Sequence, residues 1–402
     1  MKLEFPKNFC WGAATSAHQV EGNNHNDWTE WEKANAKRLA EEAGKKKWPD
    51  YILNPPAGGF NPFQEENYIS GKACDHYNRF REDFDIAKKL GHNAHRFSIE
   101  WSRIEPEEGK FDEKEIEHYR QVILALTAQH IEPFVTLWHW TIPVWFRDIG
   151  GWLNKKSPEY FSRYVEKMVS ALPDVKFWII LNEPCVYTSA GFLKGHWPPD
   201  ERSIFKYFKV LRHLAEAHNK SYKVIKEINA QAQVGISKHN IYFENIPFAN
   251  YFWNEYFLNK IKNHQDFIGL NYYFHARLFG NKNEQVSDLG WEIYPEGIYH
   301  VLKELKKYNK PIYITENGLA DARDEKRAKF IKGHLKWTHK AISEGVDVRG
   351  YFYWSLLDNF EWDKGFWPRF GLVEVDYKTM ERKIRNSALE YKKICKENTL
   401  LS

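Results

Sequence analysis

Apolar residues in this chain fall into short, mostly unbroken runs, each followed by a stretch whose apolar positions recur three and four residues apart. The runs cover 9–17, 93–101, 132–140, 176–183, 233–240, 267–273, 311–316 and 348–356. A strand with one wet face alternates apolar and polar residues; a continuous run suits a parallel strand buried on both faces. Helical spacing is predicted over 76–90, 113–129, 158–172, 205–228, 253–263, 295–307, 325–344 and 387–396. The first of these carries Phe80, Phe84, Ala87 and Leu90 and stops at Gly91, a C-cap signal. Eight runs alternating with eight helical stretches predict βα units, and eight is the number that closes a TIM barrel, so the α/β class and a (β/α)8 barrel are expected. A doubly wound open sheet is the competitor. It is disfavoured because neither G-x-G-x-x-G nor G-x-x-x-x-G-K-[ST] follows any run.

No internal repeat, low-complexity linker or composition break divides the chain, so a single domain over 1–402 is expected. One insertion, 23–70, separates the first run from the first helix. It opens on an expected capping box, Thr29 with Glu32, continues as a charged helix to Gly44 and enters a Pro/Gly-rich loop over 48–62. In a barrel this is a βα loop and belongs on the catalytic face.

Composition changes the picture in one respect. Hydrophobic residues at 43% and charged residues at 28% are ordinary for a soluble protein with a large core. The aromatic content is not: 17 Trp, 22 Tyr and 27 Phe suit either a Trp-rich core or a protein that binds flat ligands with apolar faces, such as sugars or nucleobases. Net charge is +4, from 58 basic and 54 acidic residues mixed along the chain, with Lys45, Lys46 and Lys47 the one cluster. Nucleic acid and membrane surfaces therefore find little to hold. Cys10, Cys74, Cys185 and Cys395 are isolated, which indicates neither a zinc site nor a disulfide framework. No signal-like apolar segment opens the chain and no run of 18 apolar residues exists, so a cytoplasmic location is expected.

Catalytic groups in a TIM barrel project from the C-terminal ends of its strands. The first run leads to Gln19 and Glu21, the second contains Arg96 and reaches Glu100, and the third ends at His139 and Trp140. The fourth ends at Asn182 and Glu183, the sixth at Asn271 and Tyr273, the seventh at Glu316; the eighth ends at Trp354 and runs on to Glu361 and Trp362. Glu183 and Glu316 stand out because each follows a strongly apolar strand, where a bare carboxylate is costly unless it faces a polar cavity. Two such carboxyls across one barrel mouth match glycoside hydrolysis, which needs a proton donor opposite a nucleophile or base. A structural ion pair at the rim is the plain alternative. His76, His92 and His95 lack Asp or Cys partners at ligand spacing and read as structural, so no metal is expected. Trp11, Trp101, Trp178 and Trp337 read as packing rather than sugar platforms.

These residues sit in segments that resemble glycoside hydrolase family 1, the β-glucosidase and β-galactosidase family: Phe9 through Gly22, His95-Arg96-Phe97-Ser98-Ile99, Asn182-Glu183-Pro184, Asn271-Tyr272-Tyr273, Ile314-Thr315-Glu316-Asn317-Gly318, Trp354 through Trp362, and Arg369-Phe370-Gly371-Leu372. They follow in the family's order over nearly the whole chain. The resemblance implies that Glu183 is the acid/base and Glu316 the nucleophile of a retaining exo-β-glycosidase, whose carboxyls stand roughly 5–5.5 Å apart. It further implies support from Arg96, Tyr273 and Asn271, and sugar contacts from Gln19, His139, Trp140, Asn182, Trp354, Glu361, Trp362 and Phe370. Glu361 where a 6-phosphate would sit points to non-phosphorylated glucosides, galactosides or fucosides. No cofactor is implied; the partners are β-glycosides and oligosaccharides, and a homo-oligomer is compatible.

Transglycosylation, with a sugar acceptor replacing water, is an alternative. So is a sugar-binding pseudo-enzyme, which would require loss of a catalytic Glu, and both are present. His18, Ile180 and Thr141 depart from residues common in the family (Tyr, Thr and an acid). Only 27 positions separate Asn240 from Phe267, so the loops after the fifth and sixth strands are expected to be short and the leaving-group side open.

Overall fold

The structure is a computed structural model and describes residues 2–55, 58–278 and 285–401. Among these, eight parallel strands close into a barrel. In chain order they are β1 (Cys10–Ala14), β2 (Ala94–Ser98), β3 (Glu132–Trp138), β4 (Phe177–Asn182), β5 (Gln233–His239), β6 (Phe267–Asn271), β7 (Ile312–Gly318) and β8 (Val348–Trp354). Each pairs with its sequence neighbours, and β8 returns to β1 through Gly350↔Cys10 to Trp354↔Ala14. Every apolar run expected to be a strand is a barrel strand. Around them lie helices α1 (His76–Lys89), α2 (Glu113–Ala128), α3 (Ser157–Ala171), α4 (Ile204–Ile228), α5 (Tyr256–Ile261), α6 (Glu296–Leu305), α7 (Arg327–Ser343) and α8 (Asn386–Glu397). None of the helices among the described residues is long and apolar enough to cross a membrane.

The barrel interior is layered. Phe134, Phe267, Tyr313 and Phe352 fill its lower part with Ile179, and Phe134 stacks on Phe177 with centroids 4.1 Å apart. Above them Arg96, Thr136, Asn182, Ser237, Asn271 and Thr315 form a layer of buried polar side chains. Groups this deep must find partners inside the protein. They bond mainly to one another, and that fixes the direction in which each points.

Three expectations change. The predicted helix over 253–263 is broken: Pro247–Asn250 forms one turn, Tyr251–Glu255 widens into a π-helical turn, and only then does α5 begin. The capping box at the insertion helix Asp27–Ala43 pairs Asn26 with Thr29, not Thr29 with Glu32, because Asn26 accepts from the Thr29 amide at 2.9 Å and the Thr29 hydroxyl accepts from the Asn26 amide at 2.9 Å. Glu32 instead accepts from the Ser70 hydroxyl at 2.5 Å. The connection after β6 is not short, since α6 begins only at Glu296; its residues 279–284 lie outside the described residues, as do Pro56 and Ala57 in the expected 48–62 loop.

The insertion packs at the C-terminal mouth of the barrel. Trp28 meets Trp362 at 4.7 Å between centroids. Asn67 donates to the Lys364 carbonyl at 2.9 Å and accepts from the amides of Phe366 and Trp367, both at 3.0 Å. This clamps the turn after β8. Gly365 within it has φ +73°, and a Cβ there would stand 1.9 Å from the Asn67 carbonyl oxygen, so the turn admits only glycine without rearrangement.

Candidate active site

A cleft of about 490 Å³ opens at the C-terminal ends of the strands. Gln19, His139, Trp140, Glu183, Tyr273, Glu316, Trp354, Glu361, Trp362 and Phe370 line it. Arg96, Asn182 and Asn271 stand behind them, essentially closed to solvent. Glu21 and Glu100, which the sequence placed on the same rim, turn away from the cleft. Glu21 pairs with Arg103 at 3.0 Å and accepts from Tyr119 at 2.8 Å, whereas Glu100 accepts from Asn26, Ser102 and Thr141.

Glu316, near the end of β7, is held by two strong donors. Arg96 Nη1 donates to Oε1 at 2.5 Å, and the Tyr273 hydroxyl donates to Oε2 at 2.6 Å. The guanidinium is itself fixed: Nε donates to Thr136 Oγ1 at 3.1 Å and Nη2 to Asn182 Oδ1 at 2.7 Å. A cation and a hydroxyl, one on each oxygen, fix the orientation of the carboxyl group.

Glu183 is treated oppositely. It follows β4 in the left-handed region, φ +43°, before Pro184 opens the next helical turn, and such a backbone in a non-glycine residue stores strain. Its amide donates to the Ser237 carbonyl at 2.7 Å. Its carboxyl receives one neutral donor, Asn271 Nδ2 at 2.6 Å, and Asn271 Oδ1 is anchored in turn by the hydroxyls of Ser237 and Thr315 at 2.8 and 2.7 Å. Burial, followed by the charge of Glu316, pushes the Glu183 carboxyl above the usual range, against the opposing pull of Asn271, Arg96 and Lys238. Two buried carboxyls share one cleft, one bound by a guanidinium and a hydroxyl and the other driven toward its acid. Asn182 Oδ1 accepts from Arg96 at 2.7 Å and from Asn271 at 3.3 Å, so the supports of both carboxyls meet on one oxygen.

That same oxygen fixes the tautomer of His139. Because Asn182 Oδ1 is an acceptor, Asn182 Nδ2 must be the donor in its 3.1 Å contact with His139 Nε2. Burial, then the Arg96 charge, holds the imidazole well below its ordinary value, hence neutral. The remaining proton is on Nδ1, which is buried and has no partner among the described residues. Gln19 is fixed by donations to Phe360 O at 2.8 Å and Asn359 Oδ1 at 3.1 Å, and it accepts from Ser16 at 2.7 Å. Burial, then Asp363 and Glu316, pushes Glu361 up to about 8, so at neutral pH it is an acid able to donate and accept. Trp140 and Trp362 share the left-handed conformation of Glu183, at φ +79° and +50°. His18 stacks on Trp362 at 5.4 Å, and Trp140 Nε1 donates to Asn182 O at 3.1 Å.

Several lining residues went unread in the sequence. His239, Ile241, Trp253, Phe274, Leu289 and Trp291 come from the ends of β5 and β6 and their connections; Val186, Lys194, His196, Trp197, Asp363 and Lys364 come from the segments after Glu183 and Glu361. His239 ends its strand as His139 follows β3, and Phe274 follows Tyr273, so position at a strand end was a usable signal for both. Trp253 and Trp291 carry no such signal, because their loops decide where they point. Among the described residues, no group of three His, Cys, Asp or Glu is placed to hold a metal ion. The arrangement can donate a proton to a leaving oxygen from one side and stabilise or attack a developing cation from the other.

The sequence model of Glycosyl hydrolase family 1 matches residues 1–251 and 280–400. Beta-glucosidase A of Thermotoga maritima is 36% identical, with 99% of each chain covered. Among solved structures, a beta-glycosidase from Pyrococcus horikoshii superposes with a TM-score of 0.88 at 39% identity, covering 100% of this chain and 97% of that one. A beta-glucosidase from Thermotoga maritima in complex with deoxynojirimycin gives 0.86 at 34% identity, covering 99% and 100%.

Proposed function

Since the chain belongs to glycosyl hydrolase family 1 and is an O-glycoside hydrolase of the β-glycosidase type, we propose that it is a retaining exo-β-glycosidase acting on non-phosphorylated β-glycosides, with Glu183 as acid/base and Glu316 as nucleophile. The observation that carries this reading is the asymmetry of the two carboxyls. Arg96 and Tyr273 each donate to one oxygen of Glu316, whereas Glu183 has a neutral donor in Asn271 and is pushed up by burial and the neighbouring charge. Paired groups whose surroundings drive their proton affinities apart divide into acid and base roles.

In this reading Glu183 protonates the glycosidic oxygen as Glu316 attacks the anomeric carbon, forming a covalent glycosyl-enzyme. The charge on Glu316 is then spent in the ester, Glu183 loses the neighbour that kept it protonated, and it can take a proton from the incoming water. Asn182 contacts the 2-hydroxyl; His139, Gln19 and Glu361 take the other hydroxyls; Trp354, Trp362, Trp140 and Phe370 provide apolar faces. A 6-phosphate near Glu361 would add negative charge beside Asp363 and Glu316, which supports an unphosphorylated sugar. The whole chain, with its 23–70 insertion, acts as one catalytic domain, and the four unpaired cysteines support a reducing, cytoplasmic setting.

The stereochemical test uses azide. Glu316→Ala should lose turnover and recover with azide as the α-glycosyl azide, whereas Glu183→Ala should yield the β-azide. Inverted sugar from the intact enzyme would overturn the retaining mechanism, and near-normal turnover by Glu316→Ala would overturn the nucleophile.

A further inference from the structure

β5 carries a lysine that takes no part in lining the cleft. Among the described residues Lys238 is the one buried lysine, 1% exposed. Ser237 beside it turns inward to Asn271 and Thr315, so Lys238, next along the strand, turns out of the barrel. There Nζ donates to the His239 carbonyl at 2.6 Å and to the Cys185 thiol, and it stands 5.7 Å from the centre of the Trp253 ring. None of these partners is charged, since burial holds the Cys185 thiol above its ordinary value. Among the described residues no carboxylate forms an ion pair with Lys238. A buried ammonium without a counter-charge is costly.

The register of the barrel sets one carboxyl beside it. Asn182 pairs with Ser237 across β4 and β5, and the Glu183 amide donates to the Ser237 carbonyl at 2.7 Å. Glu183 and Lys238 therefore come next on two adjacent strands, and Cys185 belongs to the helical turn Pro184–Thr188 that Glu183 opens. Each charge favours the other. Burial disfavours the Lys238 ammonium, and Cys185 and Glu183 oppose it. Burial and Glu316 disfavour the Glu183 carboxylate, and Asn271, Arg96 and Lys238 oppose them. Tyr273 and Cys185 also border Glu183 but stay protonated, and burial holds His239, beside Lys238, neutral at about 3. The cations that answer a charge on Glu183 are thus Arg96 inside the barrel and Lys238 outside it.

The need for that answer changes during the reaction. Once Glu316 is an ester, Glu183 has passed its proton to the leaving oxygen and is a buried carboxylate awaiting water. Resting on the β-glycosidase reading above, we propose that Lys238 is a positioning residue for this second half-reaction: from outside the barrel, its ammonium stabilises the ionised Glu183 that takes the proton of water.

The test uses 2,4-dinitrophenyl β-glucoside, whose leaving group departs without a proton, so that breakdown of the glycosyl-enzyme limits kcat. Lys238→Gln keeps a donor for the His239 carbonyl and removes the charge. It should lower kcat about tenfold near pH 6, the effect of one unit in the proton affinity of Glu183. The acid limb of kcat should move to higher pH, because the base must be ionised, while kcat/KM changes by less than about twofold. Lys238→Met should behave like the glutamine variant, and Lys238→Arg should restore both kcat and the limb. Wild-type kcat and an unmoved limb in Lys238→Gln overturn the inference and leave the lysine as a fastener of the strand end, with the β-glycosidase reading untouched. Equal losses of kcat and kcat/KM in both uncharged variants, unrelieved by arginine, overturn it as well, since a distorted cleft produces that pattern. A wild-type protein that cleaves no β-glucoside overturns the functional reading itself.

Discussion

Arg96 Nη1 lies 2.5 Å from Glu316 Oε1, and the same guanidinium reaches Asn182 at 2.7 Å. One buried cation thus fixes both the carboxylate proposed to attack and the amide proposed to read the 2-hydroxyl. Arg96→Met should lower kcat/KM on an aryl β-glucoside by about 10²–10³-fold, the usual cost of removing a charge-stabilising donor from a closed site. Arg96→Lys keeps the charge but cannot span both partners, because its ammonium lacks the planar fork; it should fall between. Lysine restoring full activity would show that charge alone suffices and that the fork does not orient Asn182.

The pH profile follows from Glu183. Its carboxyl is raised by burial and then by Glu316, and acid catalysis needs the protonated form. Activity governed by it is therefore full below the raised value and falls as pH climbs through it. Glu361, raised to about 8, titrates in the same direction. The two separate in Glu183→Gln with a dinitrophenyl β-glycoside, whose departure needs no proton. The alkaline fall in kcat/KM should vanish or retreat to the part set by Glu361. A fall of unchanged size and midpoint would assign the whole limb to Glu361.

The barrel was legible because its strands are buried on both faces, so β4, Phe177–Asn182, reads as an unbroken apolar run that ends at Asn182, beside the cleft. What failed was what tertiary packing decides. The π-helical turn Tyr251–Glu255 interrupts a helical pattern that looked continuous, and no local signal separates a tryptophan directed into a cleft from one on a helix face. Glu21 and Glu100 looked like rim acids beside Gln19 and Arg96, but partners distant in sequence draw each away: Tyr119 and Arg103 for Glu21, Asn26 and Thr141 for Glu100. The supports of the Glu183 carboxyl were also hidden, since the hydroxyls of Ser237 and Thr315 reach it through Asn271. The barrel brings all three together across strands.

A residue outside the cleft should nonetheless control it. Gly365 accepts from the Glu361 amide at 2.7 Å, and its φ of +73° with ψ of −143° is close to glycine-only backbone. Gly365→Ala places a Cβ against the Asn67 carbonyl, so the turn must shift and carry Glu361 with it. Stability should fall by about 1–3 kcal/mol, and kcat/KM on p-nitrophenyl β-glucoside should fall more steeply than thermal unfolding at the assay temperature explains. A lowered melting temperature with unaltered kinetics would show that the clamp does not position Glu361.

Asp358 anchors the segment after β8 from below. It accepts from Arg385 at 2.8 Å on each oxygen, from Arg369 at 3.2 Å and from the Gly371 amide at 2.8 Å, all buried. Burial alone would raise its carboxyl, but Arg385 and then Arg369 outweigh it and hold it below the usual range. A depressed folded-state value means that the stabilisation is complete above the unfolded value, near 3.9, and is lost as pH falls through the folded one. At neutral pH Asp358→Asn leaves the buried Arg369 without its counter-charge and Arg385 with only Glu374 at 3.8 Å, which should cost about 3–5 kcal/mol in chemical denaturation. Below about pH 4 the unfolded chain takes up a proton at this carboxyl while the folded one stays ionised down to its depressed value, so the difference between the two proteins should narrow as pH falls through that window. A constant difference from pH 7 to pH 3 would mean that the carboxyl holds the segment through hydrogen-bond geometry and not through its charge.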